Sequence, residues 1–333
     1  MDLGLLEQTL AELGEPDYRL GQIWRWAARG AASFQEMTDL PRALRGALAE
    51  RVPFSTLAAQ AEARSRDGTV KTLFRTADGR PVEAVLMRYR DGRRSLCLSS
   101  QSGCPLTCTF CATGQMRFGR NLTASEILDQ ALHFRRSAGP VDHAVFMGMG
   151  EPLMNVENVL GACERLPEIG ITARRTTVST VGWLPGMRRL IDDPRPLRLA
   201  LSLHAADPDL RTELMPVNLR HPLQEVLAAC RAHHERKRRR VFVEYVMLAG
   251  VNDSVAQAIQ LAELLDPRVF KVNLIPYNPT SSRYEGSSRK AIAAFRQELE
   301  RRGLRATVRL TRGRDIDAAC GQLAAREGRG AAG

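Results

Sequence analysis

The stretch VFVEYVMLAGVNDSVAQAIQLAELLDPRVFKVNLIP, residues 241–276, holds a complete strand–helix–strand unit. Two valine-rich runs, 241–247 and 269–276, predict strands, and the segment 255–265 between them predicts a helix. Such an alternation predicts a parallel sheet, because a chain that crosses back through a helix re-enters the sheet in the same direction.

The same alternation extends outward over residues 95–311. Further strand-like runs lie at 95–100, 143–149, 175–180 and 197–204, and helix-like segments at 124–137, 157–166, 184–192, 222–239 and 288–302. Six strands of this kind predict an α/β fold, a partial (β/α)6 barrel whose chemistry lies at the C-terminal strand ends. A doubly wound open sheet is the competing architecture, and the pattern alone does not exclude it.

The flanking regions predict three smaller units. Residues 1–60 contain helix-like segments at 2–13, 19–30 and 41–52, which predict a small helical domain. Within 61–94, the runs 70–76 and 82–89 are separated by ADGR and predict a β-hairpin extension. The C-terminal segment, 312–333, ends in REGRGAAG, which predicts a disordered tail.

The charge is distributed unevenly along the chain. The net charge is +11, yet residues 1–60 carry six Lys or Arg against eight Asp or Glu. The basic excess therefore lies in the main domain, where it indicates either a polyanionic partner, nucleic acid first, or a solvated surface, and charge alone does not decide between the two. The run Arg236–Arg240 is either a phosphate contact or a solvated helix end. No run of 18 apolar residues and no signal-peptide pattern is present, so we expect a cytoplasmic protein without a membrane partner.

Three of the seven cysteines lie in CPLTCTFC, residues 104–111, with the spacing Cys-x3-Cys-x2-Cys. Three thiolates can hold three irons of a [4Fe–4S] cube and leave the fourth iron open to a substrate or cofactor. A zinc site completed by a distant ligand is the alternative, although zinc motifs generally add a second close pair and none follows here. Cys163 and Cys230 fall inside predicted helices and are interpreted as core thiols.

The triad, with Phe110 before its last cysteine, resembles that of the radical S-adenosylmethionine (SAM) enzymes. Five further stretches make the chain similar to the RNA adenine-C2 methyltransferases of the RlmN/Cfr family: FMGMGEPLMN (146–155), STVGWLPG (179–186), SLHAADPDLR (202–211), NLIPYNP (273–279) and RGRDIDAACGQL (312–323). The resemblance covers nearly the whole chain and includes GEPDYRLGQIWRW (14–26) and EMTDLP (36–41).

The resemblance implies that SAM chelates the open iron of one [4Fe–4S] cluster per chain. The cluster ligands would be Cys104, Cys108 and Cys111. The matching positions for SAM binding are Gly150, Glu151 and Pro152, around the SAM amino group, and Ser179, Ser202, Leu203, His204 and Asn278. Taken singly, each of these residues could be an ordinary loop residue or, for His204, a buried structural histidine.

The resemblance also implies a route that consumes two SAM molecules. Cys320 takes a methyl group from the first, and a 5′-deoxyadenosyl radical from the second activates the resulting S-methylcysteine for addition to C2 of adenine. Cys97 then resolves the covalent protein–RNA adduct through a transient disulfide with Cys320, and Glu83 is the proton acceptor. Without the resemblance, both cysteines could be buried spectators, and Glu83 could be an exposed strand carboxylate.

The implied substrates are an adenosine of 23S rRNA and adenosine 37 of transfer RNA. The implied partners are an electron donor of the flavodoxin or ferredoxin type and a thiol reductant, acting on a monomer. Residues 1–60 would hold the RNA through shape or through aromatic side chains such as Trp24 and Trp26. Two alternatives remain: a Cfr-like C8 methyltransferase of the same rRNA adenosine, associated with antibiotic resistance, and a non-catalytic zinc module that binds RNA.

Overall fold

The computed structural model of the protein describes residues 1–323, so the tail predicted to be disordered lies outside the described residues. The helices are α1 (Leu3–Glu12), α2 (Tyr18–Arg29), α3 (Arg42–Arg51), α4 (Ala124–Ala138), α5 (Val156–Ile169), α6 (Leu184–Asp192), α7 (Pro208–Leu214), α8 (Leu223–Lys237), α9 (Val255–Leu264) and α10 (Arg289–Arg301). The strands are β1 (Leu57–Arg64), β2 (Val70–Thr76), β3 (Pro81–Arg88), β4 (Arg94–Cys97), β5 (Gln101–Ser102), β6 (Arg120–Asn121), β7 (His143–Phe146), β8 (Thr176–Thr180), β9 (Arg198–Ser202), β10 (Val241–Met247), β11 (Phe270–Pro276) and β12 (Ala306–Val308).

Ten of these strands form one sheet in the order β1-β2-β3-β4-β7-β8-β9-β10-β11-β12. The seven strands from β4 through β12 in this order run parallel, which confirms the predicted α/β fold. The six predicted strands correspond to β4 and to β7 through β11, and β12 was not predicted. The sheet has two free edges, β1 and β12, among the residues described, so the barrel is partial rather than closed. Parallel strands end at a common edge, which is where a site in such a fold is expected.

The unit 241–276 shows why its sequence folds this way. Strands β10 and β11 pair in parallel from Val241↔Phe270 to Met247↔Pro276. Val243 and Tyr245 are buried beneath the helices, whereas Glu244 and Val246 point to the inside of the barrel. Because both faces are covered, the strand is apolar at nearly every position and shows no simple alternation. Glu244 is the exception.

The N-terminal helices are not separated from the sheet by a linker. Their buried side chains, among them Leu6, Trp24 and Leu48, belong to the same core as the barrel helices. The carboxylate of Asp129 on α4 also accepts hydrogen bonds from the backbone N–H and the hydroxyl of Thr56, each at 2.6 Å. The suggested use of Trp24 as an RNA contact is wrong, because its side chain is fully buried.

Residues 57–94 extend the sheet with antiparallel strands. The predicted hairpin is present, since β2 and β3 pair from Val70↔Leu86 to Arg75↔Pro81. Strand β1 was not predicted, and it includes residues 57–60, which the sequence analysis placed with the helices. The hairpin joins the parallel strands directly, because β3 pairs with β4 through Val85↔Cys97. No helix in the described part of the chain is long and apolar enough to cross a membrane.

Helix α6 packs closely against the backbone of Leu153 through Gly186, and this contact can be tested by mutation. A Cβ atom on Gly186 would lie 2.1 Å from the carbonyl oxygen of Leu153, which is backbone and cannot move aside. We expect Gly186→Ala to destabilise the protein by about 2 kcal/mol or more, through overpacking. The matched control is Gly46→Ala in the middle of α3, where the new methyl meets nothing within 4 Å.

Gly46→Ala should stabilise the protein by up to about 1 kcal/mol, because alanine is the better helix former. The two thermal unfolding midpoints should therefore move in opposite directions from that of the wild type. An unchanged midpoint for Gly186→Ala would contradict the contact between α6 and Leu153.

Candidate active site at the strand ends

Six of the predicted SAM-binding residues meet at the C-terminal edge of the parallel strands. They line one cavity, called here the strand-end cavity, and they are Gly150, Glu151, Pro152, Ser179, Ser202 and His204. The hydroxyl oxygens of Ser179 and Ser202, from neighbouring strands, are 3.4 Å apart. The sheet therefore brings together polar side chains that come from three separate segments of the chain.

Two predicted residues are placed differently. The side chain of Leu203 is fully buried in the main core, so only its backbone could face a ligand. Asn278 lines a neighbouring cavity instead, and its amide donates to the carbonyl oxygen of Cys320 at 3.2 Å. Its side-chain oxygen is buried without a hydrogen-bond partner in the described residues.

Glu151 is one of two acidic residues that line the strand-end cavity, the other being Glu244. One carboxylate oxygen accepts from the backbone N–H of Leu153 and the other from that of Val181, both at 3.0 Å. Burial raises the pKa of this carboxyl group to about 7. The side chain of Thr180 also hydrogen-bonds to this carboxylate. Three of its four lone-pair sites are then engaged, and the group can accept one further donor such as an ammonium.

The backbone before Glu151 requires glycine. Gly150 has φ +96°, and a Cβ atom there would lie 2.5 Å from the side chain of Gln101. Gln101 in turn accepts from the backbone N–H of Glu151 at 2.9 Å and donates to Asn121 at 2.8 Å. Sequence reasoning missed Gln101, which fixes the direction of the Gly150–Glu151 turn.

His204 lines the same cavity with a neutral imidazole ring. Its backbone has φ +61°, and its Nδ1 accepts from the backbone N–H of Val246 at 3.0 Å. Burial, and secondarily the charge of Arg211, lowers the pKa of the imidazole to about 3. The ring packs edge-on against Phe110, with centroids 4.8 Å apart, so it connects the cavity to the cysteine loop.

The cysteine triad lies on the loop between β5 and β6. Cys111 lines the strand-end cavity, and its backbone N–H donates to the carbonyl of Cys108 at 3.2 Å. Burial raises the pKa of Cys104 to about 12 and also raises the pKa of Cys108 and Cys111. Burial therefore outweighs the cation that acts on Cys108, the Arg211 guanidinium, and a metal would supply further positive charge on displacing the protons of these thiols.

The three thiols could hold either a single metal ion or an iron–sulfur cube, and the two make different geometric demands. Within the described residues, no group of three or more His, Cys, Asp or Glu side chains has an arrangement suited to one metal ion. A [4Fe–4S] cube makes a different demand, because each thiolate binds a separate iron. Three cysteines on one loop, of which Cys111 lines the strand-end cavity, fit a cube with one iron left for a ligand.

Cys320 lies between the cysteine loop and the end of β11. The carbonyl of Gly321 accepts from the N–H of Ala112 at 2.8 Å, and the carbonyl of Leu323 accepts from the hydroxyl of Thr113 at 2.6 Å. Together with the bond from Asn278, these contacts hold the C-terminal segment over the strand ends. Cys320 consequently lines the strand-end cavity itself.

A second, smaller cavity connects Cys320 with Cys97. This thiol cavity is lined by both cysteines and by Met147, Asn278 and Arg309. Cys97 ends β4 and is 7% exposed. Burial, and secondarily the neighbouring Cys320, raises the pKa of the Cys97 thiol to about 12. Two thiols far apart in the sequence thus face one space.

Sequence reasoning also missed Arg309 and Glu244. Arg309 lines both cavities, and its Nη1 lies 3.6 Å from Oε2 of Glu244. The negative charges of Cys320 and Glu244 raise the pKa of the guanidinium above its usual value. A single carboxylate inside the apolar run VFVEYVM was the signal that could have identified Glu244.

Glu83 lies on β3 and lines neither cavity. It is 1% exposed, so the alternative of an exposed strand carboxylate is wrong. Its Oε1 forms an ion pair with Nζ of Lys71 at 3.0 Å, and the same Nζ donates to the carbonyl of Asp317 at 3.2 Å. Glu83 is therefore linked through Lys71 to the segment that carries Cys320.

The chain is similar to known proteins both in sequence and in fold. Residues 98–262 match the model of the radical SAM superfamily, and residues 1–53 match that of the ribosomal RNA large subunit methyltransferase N-terminal domain. A radical SAM methyltransferase from Sphaerobacter thermophilus superimposes with a TM-score of 0.92, at 47% identity over 98% of both chains.

Curated relatives extend the similarity over nearly the full length. The "Probable dual-specificity RNA methyltransferase RlmN" of Thermus thermophilus is 46% identical, covering 96% of this chain and 92% of the relative. The "Dual-specificity RNA methyltransferase RlmN" of Anaeromyxobacter sp. is also 46% identical, covering 99% and 91%. The chain belongs to the RlmN family of radical SAM methyltransferases.

Proposed function

We propose that this enzyme methylates C2 of an adenosine in 23S rRNA and of adenosine 37 in transfer RNA. The names of its relatives support an RNA substrate, and the family implies a [4Fe–4S] cluster and SAM. The observation that carries the proposal is the position of Cys320, at the junction of the strand-end cavity and the thiol cavity. A methyl-carrying thiol there can face a SAM molecule on one side and a second thiol on the other.

In this proposal the cluster is held by Cys104, Cys108 and Cys111. When bound, the cluster and SAM supply a one-electron cleavage that generates a carbon radical beside Cys320. Glu151 accepts the SAM ammonium with its remaining lone pair, and Gly150 lets the backbone approach closely. Pro152, Ser179, Ser202 and His204, with the backbone of Leu203 and the amide of Asn278, complete the SAM site.

Cys320 and Cys97 carry out different steps of the proposed reaction. The Cys320 thiolate first accepts a methyl group from one SAM and becomes S-methylcysteine. After hydrogen abstraction from the S-methyl group, its methylene carbon would form the new bond to C2. Glu83 would accept the proton that C2 loses, and the unpaired electron left on the adduct would return to the oxidised cluster. The Cys97 thiolate then attacks the Cys320 sulfur, and the carbon–sulfur electron pair leaves with the product carbon, which takes a proton. A Cys97–Cys320 disulfide remains and requires a two-electron thiol reductant.

The regiochemistry is tested by locating the methyl group. Anaerobically reconstituted enzyme should convert RNA from a strain that lacks the modification into RNA containing 2-methyladenosine, detected by nuclease digestion and mass spectrometry. Cys320→Ala is the control and should give none. Methylation at C8 would instead support the Cfr-like alternative, and unmodified 23S and transfer RNA would contradict the proposal.

The cofactor assignment and the accessory roles are tested separately. Four irons with broad visible absorbance are expected, whereas a single zinc without colour would support the RNA-binding zinc module. Residues 1–60 are proposed to hold the RNA, with Tyr18 and Trp26 as the exposed and half-buried aromatic side chains of α2. The electron donor is proposed to be a flavodoxin or ferredoxin, and the enzyme a monomer.

A further inference from the structure

Six cations surround the opposite end of the barrel from the strand-end cavity. Each lies at or immediately before the N-terminal end of one of the neighbouring strands β8 to β12, and together they are called here the basic mouth: Arg175, Arg198, Arg239, Arg240, Lys271 and Arg305. The register places Arg198 beside Thr177 and Lys271 beside Phe242. The predicted basic run therefore contributes only its last two arginines to this surface.

The protein offsets the charges of the basic mouth only in part. Asp142 acts on Arg175 and Glu244 on Lys271, each without an ion pair, and Nζ of Lys271 lies 3.7 Å from the centroid of the Phe242 ring. Within the part of the chain that the structure describes, none of the six side chains forms an ion pair or a side-chain hydrogen bond. Two carboxylates at the same edge are already engaged, Asp91 by Arg93 and Asp142 by the backbone N–H of Arg94. Exposed arginines elsewhere are commonly paired, as Arg268 is with Asp266.

The cations of the basic mouth repel one another. Partial burial and the charges of Arg239 and Arg175 lower the pKa of Arg198, and burial with Arg198, Arg240 and Arg305 lowers that of Lys271. Arg175 and Arg198 also line a cavity of about 160 Å³ that reaches inward to Glu244 and Arg309. Like charges held together in this way cost folding free energy unless an anion binds them.

The geometry points to a second RNA contact: we infer that the basic mouth binds the phosphate backbone of the RNA substrate at a place remote from the target adenosine. This inference rests on the proposed function. Five strand ends spaced by about 4.8 Å extend over roughly 19 Å, which exceeds one phosphate group and suits a polymer of phosphates. An acidic protein fits less well, because no exposed large apolar side chain among the described residues occupies these strand starts.

The distance between the basic mouth and the strand-end cavity determines which RNA molecules can contact both. Strand β9 runs from Arg198 at the mouth to Ser202 at the strand-end cavity, a rise of about 13 Å along the strand. We expect a minimal stem–loop whose loop enters at the strand ends to extend away from the barrel, and therefore not to pass around the helices that cover the sheet to the basic mouth. A large folded RNA can do so, and the mouth then adds affinity without adding base recognition.

The test compares two double variants of equal net charge. Arg198→Gln/Arg240→Gln removes two cations of the mouth, whereas Arg268→Gln/Arg301→Gln removes two cations that are each paired with a carboxylate. Binding of full-length RNA and of a minimal stem–loop is measured by fluorescence anisotropy at several salt concentrations. SAM cleavage without RNA is measured in parallel, with dithionite or with a flavodoxin as the reductant.

We expect the mouth variant to bind full-length RNA about tenfold more weakly than the control. The slope of log Kd against log salt should fall by about 1.5, as for two lost phosphate contacts. Stem–loop affinity and SAM cleavage should match the control. Equal affinities of the two variants for full-length RNA would overturn the inference. So would a mouth variant whose affinity falls, relative to the control, by the same factor for full-length RNA and for the stem–loop.

A loss confined to the flavodoxin-driven reaction would also overturn the inference and identify the mouth as the docking surface of an acidic electron donor. Because binding is measured directly, absence of methylation by the wild type would count against the proposed function alone. The binding comparison would still decide whether the basic mouth contacts RNA.

Discussion

Alanine at Cys104, Cys108 or Cys111 is expected to abolish cluster binding and, with it, all SAM cleavage and RNA methylation. A cube held by three protein ligands has no spare thiolate, so the loss of one leaves two irons without a protein ligand. Each variant should therefore be colourless after anaerobic reconstitution, contain close to no iron and release no detectable 5′-deoxyadenosine. The expected effect on turnover is complete loss.

Two other cysteines provide matched controls. Cys163 on α5 and Cys230 on α8 are fully buried in the main core and line neither cavity. Their alanine variants should lose at most a few kcal/mol of stability and keep the iron content and the SAM cleavage of the wild type. A triad variant with four irons and full turnover would remove that cysteine from the proposed ligand set.

The central parallel strands could be predicted because strands such as β8 and β10 are buried at nearly every position and are separated from their neighbours in the chain by helices. Strand β1 could not, since LAAQAEAR is mostly exposed at the sheet edge and contains no β-branched residue. It is held by its pairing with β2 from Leu57↔Thr76 to Arg64↔Val70 rather than by strand propensity. The three residues of β12 and the seven of α7 are too short for periodicity to show.

The candidate site also has a part that could be predicted from local sequence and a part that could not. Local spacing was enough to single out Cys104, Cys108 and Cys111, because all three lie on one loop. The meeting of Cys97 with Cys320 depends on the path of the C-terminal segment, which is fixed by hydrogen bonds to Ala112, Thr113 and Asn278. Composition carries no signal for such contacts, so in the sequence the pair rested on family resemblance alone.

Replacing Cys97 with alanine should trap the enzyme on its RNA. In the proposed route, the substrate carbon is bonded to the Cys320 sulfur before release, and only attack by another thiol on that sulfur breaks the bond. Within the described residues, Cys97 is the other cysteine that lines the thiol cavity with Cys320. Cys97→Ala should therefore stop at one turnover with a covalent protein–RNA adduct.

The adduct should survive denaturing electrophoresis and collapse on nuclease digestion to a protein with a modified nucleotide on Cys320. Cys320→Ala should form no adduct, because no methyl group is loaded, and the double variant should behave in the same way. Normal turnover by Cys97→Ala, or inactivity without any adduct, would exclude the two-thiol route for this chain.

The pH dependence of adduct resolution provides an independent measure of the same thiol. Burial, the larger cause of the raised pKa of Cys97, persists in the adduct, whereas the charge of Cys320 does not once its sulfur is bonded to RNA. The Cys97 thiol is therefore protonated at neutral pH, and its reactive thiolate is a small fraction. That fraction grows about tenfold for each unit of pH below the pKa. In single turnover, the wild-type adduct should decay faster from pH 7 to pH 9, whereas the Cys97→Ala adduct should persist across this range. A decay rate of the wild-type adduct that is flat with pH would show that another group removes the Cys97 proton before the attack.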